Sequence, residues 1–171
     1  MHELAIFQLR KNLDVFLNLI KSVNEDQRQW RSPEQTLTIH EILCHLYEME
    51  LYYFRPQTEW ISLHPNQKLQ EIDTSNWCDT RRYATNDFRV TLRRFVIERE
   101  ASVRWLSSLD DTFWESSFID HSSGKVSSKM FLMSWLNNDY TEFQKIVKLK
   151  YEYFNAIEQS QNPPLKYAGN L

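Results

Sequence analysis

KMFLMSWLNNDYTEFQKIVKLKYEYFNAIEQ, running from Lys129 to Gln159, is the stretch whose pattern decides the fold. Phe131, Leu132, Trp135, Phe143, Ile146, Leu149, Tyr153 and Ile157 recur every three or four positions and mark one inward stripe of a long helix. Glu142 lies inside that stripe, within roughly 20° of Trp135 at the helical 100° per residue. Asn138 and Asp139 lie on the same side one turn earlier. A buried carboxylate that is unpaired loses several kcal/mol of solvation, so such groups are paired, hydrogen-bonded or bound to metal. The sequence therefore requires a partner for Glu142.

Three further amphipathic segments surround this one. The first is predicted as a helix over about Glu3 to Val23, with Leu9, Leu13, Phe16, Leu17 and Ile20 on one side. A second begins at Thr38-x-x-Glu41, which reads as a capping box, and carries Ile39, Ile42, Leu46, Met49 and Tyr53. It is expected to stop before Pro56, because proline disfavours helix at the residue preceding it. The segment Pro56 to Arg82 reads as a loop with one or two short turns. A third helix is predicted over about Thr85 to Leu109, with Phe88, Leu92, Phe95, Val96, Val103 and Leu106 inward and Arg99 on that same face. Alternation around Phe118 and Ile119, followed by Ser122-Ser123-Gly124, predicts a small β-like ribbon; Ser127 or Ser128 then caps the last helix. Four such helices bury their stripes most simply as an all-α four-helix bundle with a long connection between helices two and three. The Pro163-Pro164 pair is expected to close the ordered part, leaving about 160–171 as a tail.

The bulk composition agrees. A chain of 171 residues is most economically one domain over 1–171, and 2 Gly with 5 Pro, against 6 Trp, 8 Tyr and 10 Phe, leaves few turns and many large side chains to bury. A net charge of -3 and a pI near 6.0 argue against a general nucleic-acid or membrane-surface binder. The arginines of the third helix are interleaved with Asp87, Glu98 and Glu100, which makes a solvated face rather than a phosphate track. Cys44 and Cys78 form no C-x-x-C pair, and no stretch nears the roughly 20 apolar residues of a membrane span. Met1 to Arg10 lacks a basic segment followed by an apolar one, so a cytoplasmic protein is expected. No phosphate-cradling Gly-rich loop, nucleophile elbow or Walker-type lysine occurs.

The second helix reads Glu41-Ile42-Leu43-Cys44-His45-Leu46, preceded by Trp30-x-x-Pro33, and the last reads Asn138-Asp139-Tyr140-Thr141-Glu142-Phe143-Gln144-Lys145-Ile146. With the Gly124-Lys125-Val126 turn between them, this frame resembles the DinB-like superfamily over roughly residues 1 to 158. In those bundles three histidines typically hold a divalent metal, one from helix two and two from the last helix at i and i+4. The resemblance implies His45, Asn138 and Glu142 as the metal positions here, with only His45 an imidazole. Amide and carboxylate are poorer ligands for a borderline metal than imidazole, so zinc, nickel or manganese would bind weakly.

Two functions follow from the resemblance. One is a degenerate, non-catalytic member that binds a small-molecule ligand in the bundle cavity or a partner, with a homodimer consistent with the aromatic excess. The other is a divalent-metal-dependent transferase or isomerase using a low-molecular-weight thiol, with the ion activating thiol or water. Without metal, Glu142 has two candidate partners, His45, whose imidazole pKa it would raise, and Arg99. Cys44 points about 100° from His45 and away from the stripe, His40 is outward, and Glu48 and Glu50 flank the second stripe as solvated residues. Trp77, Trp105 and Trp114 read as core or groove wall.

Overall fold

The computed structural model describes residues 2–161. In chain order these form α1 (His2–Ile20), α2 (Glu25–Gln29), α3 (Ile39–Met49), a π-turn (Glu50–Phe54), α4 (Arg55–Leu63), α5 (Trp77–Thr80), a 3-10 turn (Tyr83–Thr85), α6 (Phe88–Leu106), α7 (Asp111–Glu115), strands β1 (Ser117–Asp120) and β2 (Gly124–Ser127), and α8 (Ser128–Gln161). The bundle consists of α1, the α3–π–α4 rod, α6 and α8, with α1 packed on α6 and α8 and α3 on both of those as well. No helix among the described residues is long and apolar enough to cross a membrane. The expected tail lies outside the described residues beyond Gln161.

Local chemistry sets the boundaries. Thr38 Oγ1 accepts from the Glu41 amide while the Glu41 carboxylate accepts from the Thr38 amide, which completes the capping box, and Arg31 forks onto the same carboxylate at 2.7 and 2.9 Å. Asp87 caps α6 through the Val90 amide, and Ser127 caps α8 through the Met130 amide. The ribbon forms as expected, antiparallel with Ser117 opposite Ser127, and Gly124 at φ +74° turns it. Residues 66–69 of the long connection run beside β1, where the Leu69 amide donates to the Ile119 carbonyl and the Ile119 amide donates to the Gln67 carbonyl, each at 2.9 Å.

Two expectations about the second helix fail at Pro56. The helix does not stop there but continues to Leu63, so the first part of the expected loop is helical. The π-turn is the reason. Arg55 donates its amide to the Glu50 carbonyl five residues back, and the wider ring relieves the clash of a proline ring with the preceding turn. Pro56 then falls in the first turn of α4, where its missing amide leaves nothing unpaired.

The core is split in two. Leu13, Phe16, Ile42, Leu46, Phe95, Phe143 and Ile146 form one apolar compartment. Leu9, Phe54, Leu106, Trp114, Phe118, Phe131 and Trp135 belong to the other, where Trp77 and Trp114 are buried as core residues. Between them, at the level of Leu9 to Leu13 on α1, lies a polar layer.

Candidate functional site

Every long rod contributes one member to that layer: Asn12 from α1, Glu50 from the π-turn, Arg99 from α6 and Asp139 from α8. All four are buried. Arg99 donates Nη1 to Asp139 Oδ2 at 2.7 Å, Nη2 to Asp139 Oδ1 at 2.8 Å, and Nε to Glu50 Oε2 at 2.6 Å. Asn12 Nδ2 adds a bond to Asp139 Oδ2 at 2.9 Å, and the Leu9 carbonyl accepts from Arg99 Nη1 at 3.2 Å. Burial works against the Arg99 charge, but Asp139 and Glu50 outweigh it and drive its pKa upward. Burial pushes the Glu50 carboxyl up to about 7 against the pull of Arg99, and the nearby Asp139 carboxylate adds to the rise. Glu50 Oε1 and Ser102 Oγ remain buried without a hydrogen-bond partner.

These contacts correct three expectations. Arg99 does not pair with Glu142; it pairs with Asp139 and Glu50. Glu50 is not solvated but fully buried, and Glu48 is half-buried, accepting from Tyr83 Oη at 3.1 Å and facing Arg81 at 3.2 Å. The second stripe, drawn through Ile39, Ile42, Leu46, Met49 and Tyr53, leaves out Leu43, which is also fully buried. Adding Leu43 widens the buried arc to take in Glu50, which lies about 20° from Leu43 on the helical wheel.

One turn along α8 from Asp139 lies the second polar group. Glu142 is buried, and its Oε1 accepts from Lys145 Nζ at 2.7 Å, an i,i+3 contact along the same helix. His45 Nε2 approaches the same oxygen at 4.0 Å, beyond hydrogen-bond distance. Glu142 Oε2 is buried with no hydrogen-bond partner. The His45 pKa moves opposite to the expected rise: burial lowers it, Lys145 adds to the lowering and Glu142 opposes it, which favours the neutral ring. Asn138 is half-buried on the wall of a cleft of about 310 Å³ shared with Met49, Tyr53, Phe54, Ile72 and Thr141. Because α3 and α8 run antiparallel here, His45 faces Glu142 while Asn138 sits a turn away. Among the described residues, no group of three or more His, Cys, Asp or Glu is placed to hold a metal.

The remaining candidates resolve as structure. Cys44 is buried rather than outward; its thiol donates to the Tyr83 carbonyl at 3.8 Å, accepts from Asn86 at 3.6 Å, and is pushed by burial up to about 11, far from a thiolate nucleophile. His40 is likewise buried, with Nδ1 3.0 Å from Gln29 Nε2 and its ring edge-on to Phe88. The inward arc of α3 is broad because α2 and the 3-10 turn cover the side that a two-helix wheel would leave open.

Among solved structures the chain is similar to YfiT from Bacillus subtilis, described as a probable metal-dependent hydrolase with an unusual four-helix bundle topology. The two share 12% identity and a TM-score of 0.77 over 89% of this chain and 87% of YfiT. The fold is a four-helix bundle of the topology found in YfiT. No family model matches the sequence and no curated protein matches it. At this identity the likeness carries the fold alone, and the chemistry has to be read from this chain's own residues.

Proposed function

We propose that this DinB-like bundle binds a small ligand rather than catalysing a reaction, with the Lys145 ammonium standing where the resemblance would place a divalent metal. The observation that carries this reading is the 2.7 Å contact between Lys145 Nζ and Glu142 Oε1. The donor set as arranged does not fit a divalent ion. It offers one imidazole, one neutral amide a turn away, and one carboxylate already neutralised by an ammonium group that would repel a second cation. The ligand is expected in the cleft beside Asn138. Met49, Tyr53, Phe54 and Ile72 give that cleft an apolar wall, and Asn138, Thr74 and Thr141 give it uncharged hydrogen-bonding groups. Those groups suit a neutral molecule with one apolar face and one amide-like or hydroxyl-bearing edge.

The test is metal content by elemental mass spectrometry on untagged protein, before and after incubation with zinc, nickel and manganese. The expected result is no stoichiometric ion, with fragment-induced amide shifts clustering at Tyr53 and Asn138 in a neutral-compound screen. A second reading, metal-dependent transfer or isomerisation with a thiol, is favoured by Glu142 Oε2, which is buried without a partner beside a neutral imidazole. One ion per chain, lost in both His45→Ala and Glu142→Ala, would select that reading and overturn ours.

A further inference from the structure

The long helix α8 carries a second stripe, on the face turned away from the bundle. Its exposed large hydrophobics are Met130, Met133, Tyr140, Val147, Tyr151 and Phe154. With Asn137 and Gln144, both exposed, filling the two gaps, the spacing alternates three and four residues without interruption from 130 to 154. That is the a/d repeat of a coiled-coil seam, which apolar residues occupy when another helix lies against them. The inner stripe already satisfies the bundle, so this one has no partner among the described residues. Beside it, Val15 and Leu19 of α1 join Tyr140, Phe143, Val147 and Tyr151 around an apolar groove of about 610 Å³.

We infer that the occupant is a second copy of this chain, docked with its α8 antiparallel about a two-fold axis at the level of residue 142. The sequence of the seam is what selects it. In that register Met130 lies opposite Phe154, Met133 opposite Tyr151, Asn137 opposite Val147, and Tyr140 opposite Gln144, each an a position facing a d position. Two methionines at one end thereby meet two aromatic rings at the other, a favourable sulfur–ring contact made twice by symmetry. A parallel pair would instead place methionine on methionine and tyrosine on tyrosine. The strip is about 36 Å long and two helix diameters wide, about 700 Å² per copy, close to what a specific dimer buries.

The experiment is sedimentation equilibrium on the full chain from about 1 to about 100 µM, where a seam of this size should give a dimer. Val147→Lys, at a position half exposed in the single chain, should weaken association at least about tenfold without changing the helical circular dichroism signal. Mixing Tyr140→Cys with Gln144→Cys under mild oxidation should give the mixed cross-link as the main product. A monomer at the highest concentration overturns the inference, as does a dimer indifferent to Val147→Lys. A predominance of the self-cross-link at position 144 would overturn the antiparallel register.

Discussion

Arg99 of α6 and Asp139 of α8 meet as a two-pronged fork, 2.7 and 2.8 Å, with both side chains almost wholly withdrawn from solvent. With Glu50 and Asn12 the fork ties four rods together at one level and separates the two apolar compartments. A polar layer of this kind contributes less to stability than apolar residues of equal volume would, but removing one partner strands the other.

Asp139→Ala should therefore lower unfolding free energy by about 3–5 kcal/mol, because Arg99 and Asn12 lose their shared acceptor inside the core. Urea denaturation monitored by circular dichroism reads this directly. A loss below about 1 kcal/mol would mean that water reaches the layer.

Glu50 gives the layer a pH dependence. Its pKa is 4.5 when unfolded and raised to about 7 in the fold, so between those values the unfolded chain gives up its proton while the folded one keeps it. Stability contributed by the protonated carboxyl is thus present below pH 4.5 and is lost as pH rises through about 7. Glu50→Gln, which retains an oxygen for Arg99 Nε, should flatten this fall and be the more stable form at pH 8. Thermal melts of both proteins across that range provide the comparison, and parallel curves would refute it.

Lys145→Met removes the ammonium from Glu142 and leaves the carboxylate buried beside a neutral His45. The variant should lose about 1–2 kcal/mol of stability, discounted because the lysine is partly exposed. It should also bind zinc more tightly than the parent, as titration calorimetry would report. Equal zinc affinity in the two proteins would remove Lys145 from the role assigned to it.

Gly124→Ala tests the ribbon turn. Nothing lies within 4 Å of the added methyl group, so any loss comes from the backbone at φ +74° rather than from a clash. About 1–2 kcal/mol is expected, measured as a shift in the urea midpoint. Thr38→Ala, which removes half of the capping box on α3, should cost about 1 kcal/mol by the same measurement.

The α1, α3, α6 and α8 helices, the capping box, the ribbon and the polar interruption on α8 were legible in the sequence because each rests on periodicity or on a cap spaced within one turn. Arg99 was legible as an inward residue for the same reason. Its partners were not, since which residues share a level depends on how far each rod slides along its neighbour, and Glu50 sat at the edge of a stripe drawn without Leu43. The burial of Cys44 and His40 was hidden for another reason: the elements covering them, α2 and the turn at Tyr83, are short pieces with no repeat to announce where they dock. Lys145 could have been found, since a lysine three residues after an inward glutamate can bend back along its own helix to reach it.

The π-turn at Glu50–Phe54 divides one rod into two phases, because a five-residue hydrogen-bonded ring takes up one residue more than an α-turn does. Residues 39–49 and 55–63 therefore obey separate helical wheels. A relative built with an unbroken α-helix here would be one residue shorter between the counterparts of Met49 and Ile61, and any alignment that ran straight through would displace Pro56, Trp60 and Ile61 by about 100°. The place to open a gap when seeking kin for this chain is inside its second rod, between two stretches that look continuous on paper.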